Sequence, residues 1–381
     1  MASLIWFRVL ATGALGWIAW HGPLWALTLS VLVPCLIAAQ PTRVAAGAAS
    51  FVYYATASWP VIAVAKAYWP SRGAGAVLMW LAAAAILSLP WVLCWTRRES
   101  LRPWSAAIAV VIAALPPLCI VGWASPLLAA GVLFPNTGWL GLAAVLALAG
   151  LLLRERARVI TLLTASATSL LLNAQVTPLR APVGWEAEMT RVHRQMKEDD
   201  FADLTMEERL QRAALASHAR FLVFPEGAVR CWTDATEVFW ATAVSDARKT
   251  LLIGAGLPIP GSSQYNNSVV IVGEHPRPAV HQRIPVPGGM WNPLRPKGSF
   301  ALNLFGPGTV EIGGERAAIL ICYEQLLTWP ILRSALERPT LLIAISNEAW
   351  TAATIVPSLQ HTCVRAWARL FGLPVISAIN S

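Results

Sequence analysis

Charge is scarce in this chain of 381 residues. Asp, Glu, Lys and Arg make up 13% of it, against roughly 25% in an ordinary soluble globular protein. Acids are scarcest in the first half, where residues 1–175 hold only Glu99 and Glu155 beside ten Lys and Arg. Residues 176–381 hold 18 acids and 19 bases, so the net charge of +9 belongs almost wholly to the first half. A groove for nucleic acid would need its surplus on the polar half, and direct nucleic-acid binding is not expected. Cysteine is sparse too: six residues without CxxC spacing, which gives neither a zinc site nor a disulfide framework. No dinucleotide or P-loop glycine motif occurs. His193, His218, His275 and His361 show no metal-ligand spacing, so no metal and no organic cofactor is implied.

What the chain has in abundance is apolar surface: 56% hydrophobic residues and 19 tryptophans. A spanning helix needs about 20 mainly apolar residues. Seven stretches approach this, at 3–20, 23–40, 45–69, 73–95, 104–124, 127–152 and 158–175. They predict an N-terminal multi-span α-helical membrane domain over 1–175, with about seven transmembrane helices in a lipid bilayer. The sixth is interrupted by "FPNTGW" (134–139), where Pro135 and Gly138 predict a break. Tryptophans such as Trp59, Trp69, Trp91 and Trp139 fall near span ends, where amphipathic rings anchor. Lys66, inside the third stretch, is read as snorkelling to the interface. The first apolar run lacks a cleavage signature and is read as a retained helix. "RRESLR" (97–102), "RERAR" (154–158) and Arg43 fall on one face if each stretch crosses once. The other face has little more than His21 and Arg72. The positive-inside rule then puts the N-terminus in the cytoplasm, and an odd number of spans puts residues 176–381 in the periplasm of a Gram-negative cell.

From about residue 183 the pattern becomes short apolar strands alternating with helices. Strands are predicted at 219–227, 250–256, 267–272, 317–324, 340–347 and 373–380. Helices are predicted at 205–219, with Thr205 and Glu208 at capping-box spacing, and at 357–372. This is an α/β layered domain over 176–381, a class that sets its chemistry at strand ends. Three strand ends carry polar groups: Glu226 after "FLVFP", Cys322-Tyr323-Glu324 after "AILI", and Ser346-Asn347-Glu348 after "LLIAI". A thiol is only partly ionised at neutral pH and needs a base. A neighbouring carboxylate can take its proton, and a cation or amide donor can stabilise an oxyanion.

"PEGA" with Glu226, "ICYE" with Cys322 and Glu324, and "ISNEAW" (345–350) together resemble the carbon–nitrogen hydrolase, or nitrilase, superfamily. Apolipoprotein N-acyltransferase is the similar enzyme branch that also joins such a domain to membrane helices. The resemblance implies an αββα nitrilase-like sandwich. Longer stretches resemble the TraB family of conjugal transfer proteins: "IVGWASPLLAAGVLFPNTGWLGLAA" (120–144), "RIPVPGGMWNP" (283–293), "ICYEQLLTWPIL" (321–332) and "AWARLFGLPV" (366–375). This likeness implies a part in plasmid conjugation.

The resemblance to the enzymes implies roles residue by residue. Glu226 matches the base, Cys322 the nucleophile and Glu324 a second, supporting acid. The enzymes' lysine, an oxyanion stabiliser, has no counterpart: "AVHQRIPVPGG" (279–289) puts His281 in its slot, with Arg283 two residues on. Gly289 stands where the acyltransferases carry a glutamate, and Lys297 lies in a setting that does not match. The sequence ends at Ser381, from which a substrate-gripping edge that differs from that of the acyltransferases or is missing is expected. Glu348 is expected to bond the backbone around the site, and Asn347 to be structural. Two readings stay open. One is acyl transfer or amide hydrolysis through a Cys322 thioester, with a lipid or lipoprotein acyl substrate. The other is a catalytically inactive scaffold of the conjugation or mating-pair machinery.

Overall fold

The computed structural model describes residues 2–68, 73–189, 200–244 and 247–381. Trp69, Arg72 and His193 lie outside the described residues. The chain divides into two units. One comprises Met1–Pro178, Leu326–Trp329 and Ala353–Gly372, and the other Leu179–Gln325, Pro330–Ala352 and Leu373–Ser381.

The first unit is helical. In chain order it holds α1 (Ala2–His21), a 3-10 helix (Leu24–Val31) continued by α2 (Leu32–Ala38), α3 (Arg43–Ala57), α4 (Pro60–Tyr68), α5 (Gly73–Cys94), α6 (Arg102–Ala114), α7 (Ala129–Leu133), α8 (Trp139–Leu152) and α9 (Arg158–Ala174). Among the described residues, three helices are long and apolar enough to cross a membrane, Ser3–His21, Gly73–Cys94 and Glu155–Ala174. There are four if α3 and α4, bent by 51° at their break, count as one span. Proline interrupts the helices of other apolar stretches. α6 stops at Ala114, ahead of Pro116 and Pro117, since a residue before proline is pushed out of the helical region and proline donates no N–H. α7 and α8 are parted at the "FPNTGW" break, where Gly138 takes φ +55°.

Hydrogen bonds define the two ends of this unit. At one end Arg8 donates to Ala39 O, Trp95 Nε1 to Gln40 O at 3.1 Å, Ser105 Oγ to Cys94 O at 2.5 Å, and Arg158 Nε to Leu152 O at 3.1 Å. α9 leaves that end and closes about 25 Å away, where Asn173 Nδ2 donates to Val132 O at 3.0 Å. α13 (Val356–Phe371) belongs to this unit: Asn136 and Gly138 N–H donate to Arg369 O and Leu370 O at 2.7 and 2.8 Å. Leu4, Trp6, Phe7 and Leu10 of α1 and Val159, Ile160, Leu163, Leu170 and Leu171 of α9 are exposed.

The second unit is a sandwich of two sheets. β1 (Trp185–Ala187), β2 (Phe221–Val223), β3 (Thr250–Pro258), β4 (Tyr265–Gly273) and β5 (Arg277–His281) form the first in sequence order. β6 (Thr309–Ile312), β7 (Glu315–Ile321), β8 (Leu341–Asn347) and β9 (Val375–Asn380) form the second. β1, β2 and β3 run parallel, as do β7, β8 and β9, while β4, β5 and β6 pair antiparallel. Because side chains alternate faces along a strand, Val269 and Ile271 of β4 join Ile319, Ile321, Ile343 and Ile345 between the sheets. Val270 and Val272 face the other way, into a second core with Leu210 and Ala214 of α10 (Asp200–Ala216) and Trp240 and Val244 of α11 (Asp234–Val244). α10 already runs from Asp200, so Thr205 lies inside it and the capping-box reading is corrected. α12 (Thr328–Ala335) follows β7 after a 3-10 turn at Cys322–Leu326.

Candidate active site

β7 ends at Ile321, and the next residue turns the chain sharply. Cys322 takes φ +51°, the left-handed region that a side chain enters only at a cost of about 1–3 kcal/mol. The turn carries the thiol into the interior, where the residue is only 5% exposed. There it donates to the Glu226 carboxylate, and the backbone N–H groups of Asn347 and Tyr323 donate to the sulfur. Burial pushes the thiol well above its ordinary pKa. The charge and acceptor oxygen of Glu226 push the same way, and the two N–H groups oppose them. Cys322 is therefore a protonated thiol at neutral pH, with the Glu226 carboxylate as the acceptor of its proton.

Glu226 reaches this position because β3 has no side chain beneath its loop. A Cβ on Gly254 would stand 2.2 Å from Pro225 O and 2.7 Å from Glu226 Cα. The carboxylate accepts from Asn267 Nδ2 at 2.7 Å through Oε1 and from Asn347 N at 2.9 Å through Oε2. Asn267 Nδ2 also donates to Gln282 Oε1 at 2.9 Å. Gln282 Nε2 in turn donates to Ile321 O at 2.8 Å. A relay of neutral amides thus joins the end of β7 to β4, the Glu226 loop and β8.

The expected stand-ins for the lysine lie elsewhere. His281 pairs with Ser268 across β4 and β5, and its Nδ1 lies 2.7 Å from Ser268 Oγ. Ser268 shares its face with Val270 and Val272, so His281 is turned away from the space between the sheets. Burial lowers its pKa, and it is neutral at pH 7. Gln282, one residue on from the His281 slot, takes the inward position. The expectation is corrected by one step of the pleat, which reverses every side chain. The alternation of inward Val280 with outward His281 was the available signal.

Arg283 is 2% exposed and turned to Glu324, not to Cys322. Its Nε lies 3.3 Å from Glu324 Oε1, while Nη1 donates to Ser334 Oγ at 3.0 Å and Nη2 to Ile319 O at 2.9 Å. Glu324 accepts further bonds from the N–H groups of Arg283, Ile284 and Ile321 at 2.6, 3.2 and 3.0 Å. A guanidinium and three fixed amides occupy it, so it staples the segment after β5 to the end of β7. Lys297 is exposed. Glu348 accepts from Ser346 Oγ at 2.9 Å, and its N–H donates to Asn380 O at 2.7 Å. Asn267, Gln282 and Asn347 are the site residues that reading by motif passed over or took as structural. Among the described residues, no three His, Cys, Asp or Glu side chains are placed to hold a metal ion.

No family model matches the chain. Apolipoprotein N-acyltransferase of Azotobacter vinelandii is 31% identical over 232 residues, 53% of this chain and 43% of that protein. Solved structures similar to it include a carbon–nitrogen hydrolase from Helicobacter pylori G27 (13% identity, TM-score 0.38, 51% of this chain and 72% of that one). Another is an amidase of the nitrilase superfamily from Nesterenkonia AN1 (14% identity, TM-score 0.34, 51% and 74%). Conjugal transfer protein TraB of Agrobacterium fabrum is 33% identical over 98% of this chain and 92% of its own. A probable conjugal transfer protein TraB of Sinorhizobium fredii is 31% identical over 98% and 97%. With likeness of this order along nearly its whole length, the chain belongs to the TraB family of conjugal transfer proteins.

Proposed function

We propose that the chain is a membrane protein of plasmid conjugal transfer whose α/β unit performs acyl transfer or amide hydrolysis through a Cys322 thioester. The observation that carries this reading is the Cys322 thiol donating to Glu226 while two backbone N–H groups point at the sulfur. Such an arrangement gives the nucleophile a base. The Tyr323 N–H, beside the sulfur, is a donor for the oxyanion that forms on attack. Glu324 and Arg283 act as positioning residues. A lipid or lipoprotein acyl group is the proposed donor, in keeping with the apolar helices of the same chain and the N-acyltransferase relative.

The helical unit is proposed to span the bacterial inner membrane with its N-terminus in the cytoplasm and the residues after α9 in the periplasm. Supporting this is the gathering of Arg8, Arg102 and Arg158 at one end of the unit, with α9 leaving that end, whatever the number of full spans. Juxtamembrane arginines favour the cytoplasmic side.

A second reading, an inactive scaffold of the mating-pair machinery, is favoured by Gln282. Both ends of its neutral amide are engaged beside Glu226, so no cation is supplied from that position. One experiment separates the two. Protein from its own membranes is weighed intact before and after neutral hydroxylamine, beside Cys322→Ala. An acyl mass that hydroxylamine removes, absent from the variant, is expected. An unmodified thiol in every lipid background leaves the scaffold.

A further inference from the structure

We propose that α13 carries a binding site for the phosphate of an anionic phospholipid, formed by Arg365 and Arg369 at the end of the helical unit remote from Arg8 and Arg158. The acyl chains of that lipid lie along α9. Such a site depends on α9 spanning the bilayer as proposed, and not on the thioester at Cys322.

α13 is seated firmly within the helical unit. A Cβ added to Gly131 of α7 would stand 1.9 Å from Ala366 O, so the two helices touch backbone to backbone. Arg369, half-buried, donates from Nε to Gly131 O at 3.2 Å and from Nη2 to Asn173 Oδ1. Asn173 is the penultimate residue of α9, a helix apolar and long enough to cross a membrane and without a buried residue along its length. Leu170 and Leu171 are exposed within a turn of it. Trp139, also exposed, packs edge to face on Phe371 at 6.1 Å beside the last turn of α13, and such rings mark the depth of lipid headgroups. An apolar helix surface thus runs up to a guanidinium at headgroup depth.

Arg365 lies one turn before Arg369 on the same face of α13 and is exposed. Burial and the charge of Arg365 both lower the pKa of Arg369, so the two guanidinium groups repel each other. The helical unit has only two acids, Glu99 and Glu155, and both lie at its other end. Among the described residues, neither guanidinium forms an ion pair with a carboxylate. Arginines on the periplasmic side run against the usual charge bias, and two held one turn apart suit an anion shared between them. A phosphodiester fits, because guanidinium groups bind phosphate oxygens through paired N–H bonds. The exposed leucines beside the site favour a lipid over a soluble phosphate ester.

The test uses the full chain in nanodiscs doped with phosphatidylglycerol that carries a photoreactive diazirine near the head of one acyl chain. Phosphatidylcholine with the same group is the comparison, and cross-links are mapped by peptide mass. Labelling of α13 and of the end of α9 is expected from phosphatidylglycerol in excess over phosphatidylcholine. Arg365→Gln should lower it by about fivefold, the usual worth of one basic side chain near an anionic surface. Arg365→Lys, which keeps the charge, should retain most of it. Equal labelling by the two lipids, labelling only elsewhere, or full labelling in Arg365→Gln overturns the inference. Labelling abolished by soluble glycerophosphoglycerol would assign the site to a free phosphate ester and overturn it too. A carbonate wash separates the readings. A parent chain stripped from its membranes sinks the proposed span, whereas a retained chain without these cross-links sinks the lipid site alone.

Discussion

Two buried glutamates sit at neighbouring strand ends, and they are built to opposite purposes. Glu324 is enclosed by the Arg283 guanidinium and three backbone N–H groups, none of which can leave without breaking the fold. Glu226 takes one backbone N–H, one side-chain amide and the proton of a thiol. The thiol proton is the one a reaction can move. In the proposed function the saturated carboxylate positions and the one facing a labile proton reacts, an assignment made from environment and not from residue type.

The contrast breaks most sharply at Glu226. Replacing Glu226 with Gln is expected to lower Cys322 acylation by about 10²–10⁴-fold, the usual worth of a general base, as read by acyl-adduct formation. The same variant loses the charge that raises the thiol pKa. Alkylation of Cys322 by iodoacetamide should then begin at lower pH than in the parent, where thiolate forms only well above the ordinary thiol range. A profile that shifts upward would contradict the contact.

Next in size is Glu324→Gln. It leaves the Arg283 charge buried without its partner, and should cost about 3–5 kcal/mol in denaturant unfolding. A loss confined to activity, with stability intact, would return Glu324 to the chemistry. Gln282→Lys sharpens the comparison in the other direction by supplying a cation beside Glu226. Acylation should rise by up to about 10²–10³-fold if an oxyanion donor is what the site lacks; an unchanged rate would favour the scaffold. The smallest effect is expected for His281→Ala, whose side chain bonds Ser268 on the far face. Acylation within about twofold of the parent follows from a side chain that has no contact with the reacting atoms.

Glu226, Cys322 and Glu324 could be singled out because their surroundings are written locally: an apolar strand, then a turn, then a polar group. The distinction between the proposed base and the staple was not legible. It depends on Arg283, forty-one residues before Glu324, and on Asn267, forty-one residues after Glu226. The misassignment of His281 has a similar origin. A register shift between β4 and β5 falls beside Val269 and Ile271, and a motif alignment carries no information on which face a residue takes after it.

The sequence by itself determined the division into an apolar, acid-poor half and a polar α/β half, because burial and hydropathy act on the composition of short stretches. It also determined the strands that end in Glu226, Cys322 and Asn347. Tertiary structure alone decided that α13 packs with the helices and that Gln282 bonds Asn267 and Ile321 O beside Glu226. It alone leaves Asn347 Oδ1 without a donor among the described residues. Such matters depend on groups distant in sequence competing for the same hydrogen bonds, and only the folded chain brings those competitors together.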